Sequence, residues 1–293
     1  MCGTCGCGGT ASVTAVDGEA AAPGDHSHRY PDHGHGSHAH SHPHGHGHDG
    51  ENHHHGHAGQ DHRAHGYPGS RILDVEARVL ARNDALAAQN RVWFAARQTL
   101  AVNLVSSPGA GKTTLLERTI RDLKAEAAIF VIEGDQATAN DGQRIRAAGA
   151  AAVQVNTGTG CHLEADMVAK GLQELRPPAG SMVLIENVGN LVCPALFDLG
   201  ERAKVIVLSV TEGEDKPLKY PHMFQAANLM IINKVDLLPY VDFDIDTAIA
   251  NARTINPDIT AISLSARTGE GMDGWHEWLR AQSRAANGHA FVE

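Results

Sequence analysis

Between an apolar run, Leu100 to Val105, and a helix-like stretch from Thr114, the chain reads Ser106-Ser-Pro-Gly-Ala-Gly-Lys-Thr113. A strand, a glycine-bearing turn and a helix start in that order constrain the fold more than any other feature of the sequence. Gly109 and Gly111 let successive backbone N–H groups, with those of Ala110 and Thr114, curl toward one anion. Lys112 reaches outer phosphates, and the Thr113 hydroxyl can ligate Mg²⁺ at the positive end of the helix. The usual pattern begins with Gly six residues before the Lys, where this chain has Ser106.

The surrounding sequence supplies the rest of such a fold. Short apolar runs rich in Val and Ile recur at 100–105, 128–132, 153–156, 182–186, 204–210, 229–232 and 260–264. Helical patterns at 113–124, 139–148, 162–175, 217–227, 244–253 and 272–287 separate them. This alternation predicts an α/β fold, a doubly wound and mainly parallel sheet of about seven strands, with ligands at the carboxyl ends of the strands. Ahead of it, Ile72, Val75, Val79, Leu86 and Trp93 recur at helical spacing. They predict one amphipathic lead-in helix over 71–98, with Ser70 available as its N-cap. The expected boundaries are therefore a tail at 1–70, the helix at 71–98 and the nucleotide domain at 99–293.

Composition separates the tail from the rest. Of the 20 His, sixteen fall between His26 and His65, among Gly, Ser, Asp and Pro with almost no large apolar side chains. Such a stretch cannot bury enough surface to offset its ordering entropy, so residues 1–70 read as disordered. No basic stripe suggests nucleic acid. Nothing resembles a signal peptide, and no apolar run reaches the length of a membrane span, which predicts a cytoplasmic protein. Five Cys in a reducing compartment argue for metal or redox duty over a disulfide framework.

Two further motifs bear on the nucleotide. Asn233-Lys-Val-Asp236 follows the strand-like 229–232, and a carboxylate at Asp236 accepts from guanine's ring N–H and exocyclic amino group together. Adenine offers no such pair, so Asn233, Lys234 and Asp236 select GTP, with Ser265 and Ala266, before Arg267, closing over the base. Glu186-Asn-Val-Gly189 ends the 182–186 strand, where many GTPases sense the γ-phosphate. Glu186 is a candidate for Mg²⁺, Gly189 for the γ-phosphate, and Asp135 for Mg²⁺ or the attacking water; either carboxylate could instead be a helix N-cap. No arginine finger or water-orienting Gln is legible, which predicts slow intrinsic turnover by Lys112, Thr113, Asp135 and Glu186.

Metal ligands form two clusters. Three thiolates, from Cys2, Cys5 and Cys7, with the α-amino nitrogen make a four-coordinate site suited to planar Ni²⁺ or tetrahedral Zn²⁺, a metal-free reducing tail being the alternative. Cys161-His162 and Cys193 lie in turns expected at the nucleotide edge of the sheet, so a metal there could respond to the bound phosphate; structural cysteines beside an incidental His are the alternative. Three ligands leave an incomplete shell that a symmetric dimer could complete. The His tract reads as a nickel or zinc store, weakening as pH falls below about 6.5, or as a soluble spacer.

Taken together, the opening Cys-x-x-Cys-x-Cys, the His-rich insert, Val105 to Leu116, Glu133-Gly-Asp-Gln136, Cys161-His162, Glu186 to Pro194 and Asn233 to Leu237 resemble the HypB family. These are SIMIBI-type P-loop GTPases that help insert nickel into [NiFe]-hydrogenase, and the resemblance covers nearly the whole chain. It implies a GTP-promoted homodimer, a high-affinity nickel site at Cys2, Cys5 and Cys7, and a weaker interfacial nickel or zinc site at Cys161, His162 and Cys193. It also implies a HypA-like partner and delivery to the hydrogenase large-subunit precursor. The related urease accessory GTPases of the UreG type carry Cys-Pro-His, whereas here Cys193-Pro194 is followed by Ala195. A metal-sequestering protein whose nucleotide domain is only a scaffold is the competing reading.

Overall fold

The computed structural model describes residues 12–14, 68–135, 140–158 and 160–288. Residues 72–288 and the segment 12–14 belong to one compact unit; of the other, 17–71, only the start of a helix is described. Cys2, Cys5, Cys7 and the His tract lie outside the described residues.

The strands are β1 Ser12–Thr14, β2 Leu100–Ser106, β3 Ile129–Asp135, β4 Ala151–Asn156, β5 Met182–Glu186, β6 Ala203–Ser209, β7 Leu229–Asn233 and β8 Thr260–Ser263. They line up as β1-β4-β3-β5-β2-β6-β7-β8, and every pairing is parallel except the antiparallel β1–β4 edge. The seven predicted strands are all present. β1 is an addition, inside the segment that reads as disordered, and it pairs Val13 with Val155. Strand β2 sits between β5 and β6, where the chain's direction of progress across the sheet reverses, so the loop after Ser106 opens at the crevice that this topology provides.

Both faces of the sheet are covered, which is why β2 and β6 are apolar without alternation. On one face Leu100, Val102 and Leu104 pack with Leu115, Leu116 and Ile120 of α2 (Lys112–Leu123) and with Trp275 and Leu279 of the last helix, Met272–Gly288. On the other, Ala101, Val183 and Ile185 pack with Phe94 of α1 (Pro68–Ala96) and with Val168 and Leu172 of α4 (Ala165–Leu175). Between α2 and α4 lies α3 (Asn140–Ala148), and α5 (Cys193–Leu196) is a single turn.

Three expectations are corrected. The pattern at 217–227 is not one helix but two, Lys216–Lys219 and Pro221–Ala226, because Pro221 forces Tyr220 out of helical geometry, at φ −125° and ψ 52°. Helix α1 begins at Pro68, so Ser70 falls inside it and is not its cap. Its buried stripe is also rotated: Val79 is 43% exposed, while Asn83, Ala87, Asn90 and Phe94 face inward. Among the described residues no helix is long and apolar enough to cross a membrane.

Candidate functional site

The phosphate loop takes the conformation its glycines allow. Gly109 and Gly111 have φ of 76° and 99°, in the left-handed region, and a Cβ on Gly111 would stand 2.6 Å from Asn233 Nδ2. Helix α2 starts at Lys112 with no side-chain cap, so its first N–H groups face the loop's concavity, as an anion site requires. Lys112 Nζ lies 2.6 Å from Ser106 Oγ, so the Ser that replaces the usual first Gly touches the loop's cation. A cavity of about 610 Å³ opens here, lined by Gly109, Lys112, Thr113, Thr114, Glu186 and Gly189 among others.

Glu186 closes the cavity from the end of β5, where the parallel register sets it opposite both Leu104 and Glu133. Thr113 donates its hydroxyl to Glu186 Oε1 at 2.7 Å, while the buried Oε2 has no hydrogen-bond partner. Burial raises the Glu186 carboxyl to about 7 against the pull of nearby Lys112, and burial also lowers the Lys112 ammonium. A buried carboxylate oxygen without a partner, beside a threonine hydroxyl, fits a hard divalent cation. Gly189 passes so close to the loop that a Cβ would meet Pro108 Cα at 3.1 Å. Asp135 ends β3, and its side chain is outside what the structure describes.

The base-side residues brace the same loop. Asn233 donates to Ala110 O at 2.9 Å and accepts from the backbone of Lys234 and Ala266, at 2.8 and 3.1 Å. Lys234, at φ 65°, stretches its Nζ to Gly109 O at 2.7 Å. Ser265 donates to Asp236 Oδ1 at 2.6 Å, which holds that carboxylate at the rim of a second cavity of about 230 Å³. Thr114 and Gly111 line both cavities, so the two are contiguous along the start of α2.

The thiol site lies in the loops after β4 and β5. Cys161 Sγ is 2.7 Å from Cys193 Sγ and 3.7 Å from His162 Nδ1, and one donor atom from each of the three residues falls within 4.8 Å of the others. Among the described residues this is the one such cluster of three. Burial lowers the His162 imidazole to about 4 and raises the Cys161 thiol to about 11. The ring is therefore a neutral donor at physiological pH, and Cys161 must lose a proton to ligate. The His162 ring also packs against that of Phe197, tilted by 33° with centroids 3.8 Å apart.

One continuous segment joins the two sites. From Glu186, Asn187 accepts from Leu163 N at 3.1 Å, Gly189 rests on Pro108, and Asn190 reaches Cys161 O at 3.4 Å before the chain arrives at Cys193. The structure thus brings together Lys112, Thr113 and Glu186, then Asn233, Asp236, Ser265 and Ala266, and separately Cys161, His162 and Cys193.

Sequence reasoning missed Arg144, which lines the larger cavity from α3 and is held by Glu117 at 3.0 Å and Asp141 at 2.9 Å. Its signal is faint, an Asp and an Arg three residues apart in an ordinary polar helix. Lys216, 3.2 Å from Ser107 Oγ, gave no local sign at all.

A phosphate loop at the switch point of a doubly wound sheet, with a base-recognition motif two strands along, defines a P-loop nucleotide-binding domain. Residues 100–263 match the family described as CobW/HypB/UreG, nucleotide-binding domain. The hydrogenase maturation factor HypB of Rhizobium leguminosarum bv. viciae is 54% identical over 293 residues, 97% of each chain. That of Escherichia coli K12 is 58% identical over 232 residues, covering 76% of this chain and 80% of its own. The crystal structure of HypB from Helicobacter pylori in complex with nickel superposes with a TM-score of 0.66 at 35% identity, covering 70% of this chain and 96% of that one. HypB from Archaeoglobus fulgidus gives 0.65 at 40%, over 69% and 99%. The chain belongs to the HypB family of hydrogenase maturation factors.

Proposed function

We propose that the chain is a slowly turning-over GTPase that carries nickel as cargo toward [NiFe]-hydrogenase, with nucleotide state setting the metal affinity of Cys161, His162 and Cys193. The observation that carries this reading is the seven-residue path from Glu186, hydrogen-bonded to Thr113, to Cys193, whose free thiol is hydrogen-bonded by that of Cys161. Nickel enters the reading through chemistry, two thiols and a neutral imidazole, and through the nickel-bound Helicobacter pylori relative.

In this reading Asp236 accepts both guanine donors, and Asn233, Ser265 and Ala266 hold that carboxylate and the base rim. Lys112 and the N–H groups of Gly109 to Thr114 cradle the phosphates. Glu186 and Thr113 would hold Mg²⁺, which when bound neutralises charge developing on the phosphates. Asp135 orients water or Mg²⁺, and Gly189 meets the γ-phosphate. Phosphate release frees Gly189 from that contact and moves the segment that ends in Cys193. Three protein ligands leave one position of a four-coordinate shell open. Val192 and Leu196, 57% and 56% exposed beside Cys193, offer a second copy an apolar surface, in keeping with a GTP-promoted homodimer. Cys2, Cys5 and Cys7 form the tight nickel site, the His tract stores nickel or zinc, and a HypA-like protein and the hydrogenase large-subunit precursor are the partners of a cytoplasmic protein.

Linkage supplies the test. If a GTP analogue changes nickel affinity at Cys161, His162 and Cys193, nickel must change the analogue's affinity by the same factor. Equal nickel affinities with GDP and the analogue would overturn the coupling. Loss of hydrogenase activity in low-nickel culture on Lys112→Ala would separate a GTP-driven carrier from a sequestering scaffold.

A further inference from the structure

We infer that Asn83 and Asn90 are positioning residues for the thiol–imidazole site, because helix α1 uses them to clasp together the two segments that carry its ligands. The inference rests on reading Cys161, His162 and Cys193 as metal ligands.

The inward stripe of α1 has asparagine where an amphipathic helix would place Leu or Ile. Both are buried, at 3% and 5% exposure. Asn83 accepts from Ala165 N at 2.9 Å and donates to Asp198 O at 2.7 Å. Asn90, two helical turns on, donates to Ala165 O at 2.7 Å and to Leu199 O at 3.0 Å. Each side chain therefore holds both segments at once: the one containing Cys161 and His162, which ends at Ala165, and the one from Cys193 to Leu199. Ala165 opens α4, whose own N-cap, Glu164, makes no side-chain capping hydrogen bond, so Asn83 caps it from another helix.

Other contacts support the same pair of segments. Asn187 and Asn190, on the way to Cys193, take Leu163 N and reach Cys161 O, and Lys204 on β6 donates to Pro194 O and Phe197 O at 2.9 and 3.3 Å. Those bonds act before Cys193 or tie its segment to the sheet, whereas the clasp joins the far ends of both segments, at Ala165 and at Asp198 and Leu199, and so bounds from the other side the distance a shared ion reads. Between the two asparagines the approach is close: a Cβ on Gly200 would lie 2.5 Å from Ala87 O. A buried asparagine aimed at loop carbonyls costs desolvation that Leu would not, and satisfied geometry at a ligand pair is a role that apolar packing cannot fill.

The test uses the full chain with Cys2, Cys5 and Cys7 changed to Ser. Cys161 and Cys193 are then its only thiols. Sulfur-to-nickel charge-transfer absorption and protection from a thiol reagent read this site alone, with free nickel set by a chelator buffer. Asn90→Leu and Asn83→Leu, close to isosteric, are expected to weaken nickel binding by about tenfold or more, as lost outer contacts do. Affinity for a fluorescent GDP analogue should stay within about twofold, the change that a local effect on another site permits. Asn90→Ser, which keeps one donor, should fall between and decides the matter if the Leu variants do not fold. Unchanged nickel affinity, or equal losses of nickel and nucleotide, would overturn the clasp. A parent protein with neither absorption nor protection would instead sink the metal reading on which it stands.

Discussion

The phosphate pocket and the thiol site lie a few residues apart yet are built in opposite ways. The pocket is made by consecutive residues, Ser106 to Thr113, whose shape is set by two left-handed glycines and completed by one strand end carrying Asn233 and Lys234. The thiol site joins Cys161 to Cys193 across 32 positions, from loops following β4 and β5, strands that β3 separates. Cys161, His162 and Cys193 own little of their geometry; α1, Asn187 and Lys204 supply it. A site preorganised by its own backbone should be damaged by changes inside it. A site held from outside should be damaged by changes that touch no ligand.

That contrast can be broken in several ways. The largest expected effect is Lys112→Ala, which should slow GTP hydrolysis by about 100-fold or more, the scale for losing a preorganised charge at the transferring group. Phosphate release measures it, and nickel affinity without nucleotide should stay put; parallel losses would mean the two sites are one. Next, Asp236→Asn removes the charged acceptor for two guanine donors. GTP affinity should fall about tenfold to 100-fold, from about 1.5–3 kcal/mol per bond to a charged group, and xanthosine triphosphate should gain, since its C2 carbonyl can accept from an amide.

The thiol site should be the more sensitive to protons. Cys161 is held protonated to about 11 and His162 neutral down to about 4, both by burial. Nickel must displace the thiol proton and need displace none from the imidazole above that value. Affinity should therefore rise with pH by about tenfold per unit for each thiol proton lost, in accord with proton linkage. Chelator competition between about pH 6.5 and about 8.5 checks it, and a flat profile would show that the thiols are not ligands. The smallest effect is Gly200→Ala. At φ +86°, with Ala87 O at 2.5 Å from the new Cβ, it should cost about 1–3 kcal/mol and lower Tm by several degrees. Because Gly200 adjoins Asp198 and Leu199, nickel affinity should fall with it while nucleotide affinity does not.

Much of the molecule was legible without coordinates. Seven apolar runs became seven strands, because strands covered on both faces show themselves as unbroken Val, Leu and Ile. The base-side residues were legible for the same local reason: a strand end followed by Asn-Lys-x-Asp fixes its own backbone. Helix α1 was misread at the level of its face. Periodicity counts apolar residues, so it chose the exposed Val79 along with Trp93, which does pack on the core, and passed over Asn83 and Asn90, which are buried because loop carbonyls and an uncapped N–H need partners. Arg144 and Lys216 escaped for a related reason, since nothing near them in sequence indicates that they border the phosphate loop.

The sequence by itself determined the local geometry of the phosphate loop and of the Asn233 to Asp236 strand end, because glycines, a lysine and two strand ends dictate that geometry over a few neighbouring residues. Only the tertiary structure decided that Cys161 and His162 meet Cys193 and that α1 holds them there. Such contacts depend on the order in which strands assemble and on polar groups left over by loops, quantities that no local pattern of residues carries.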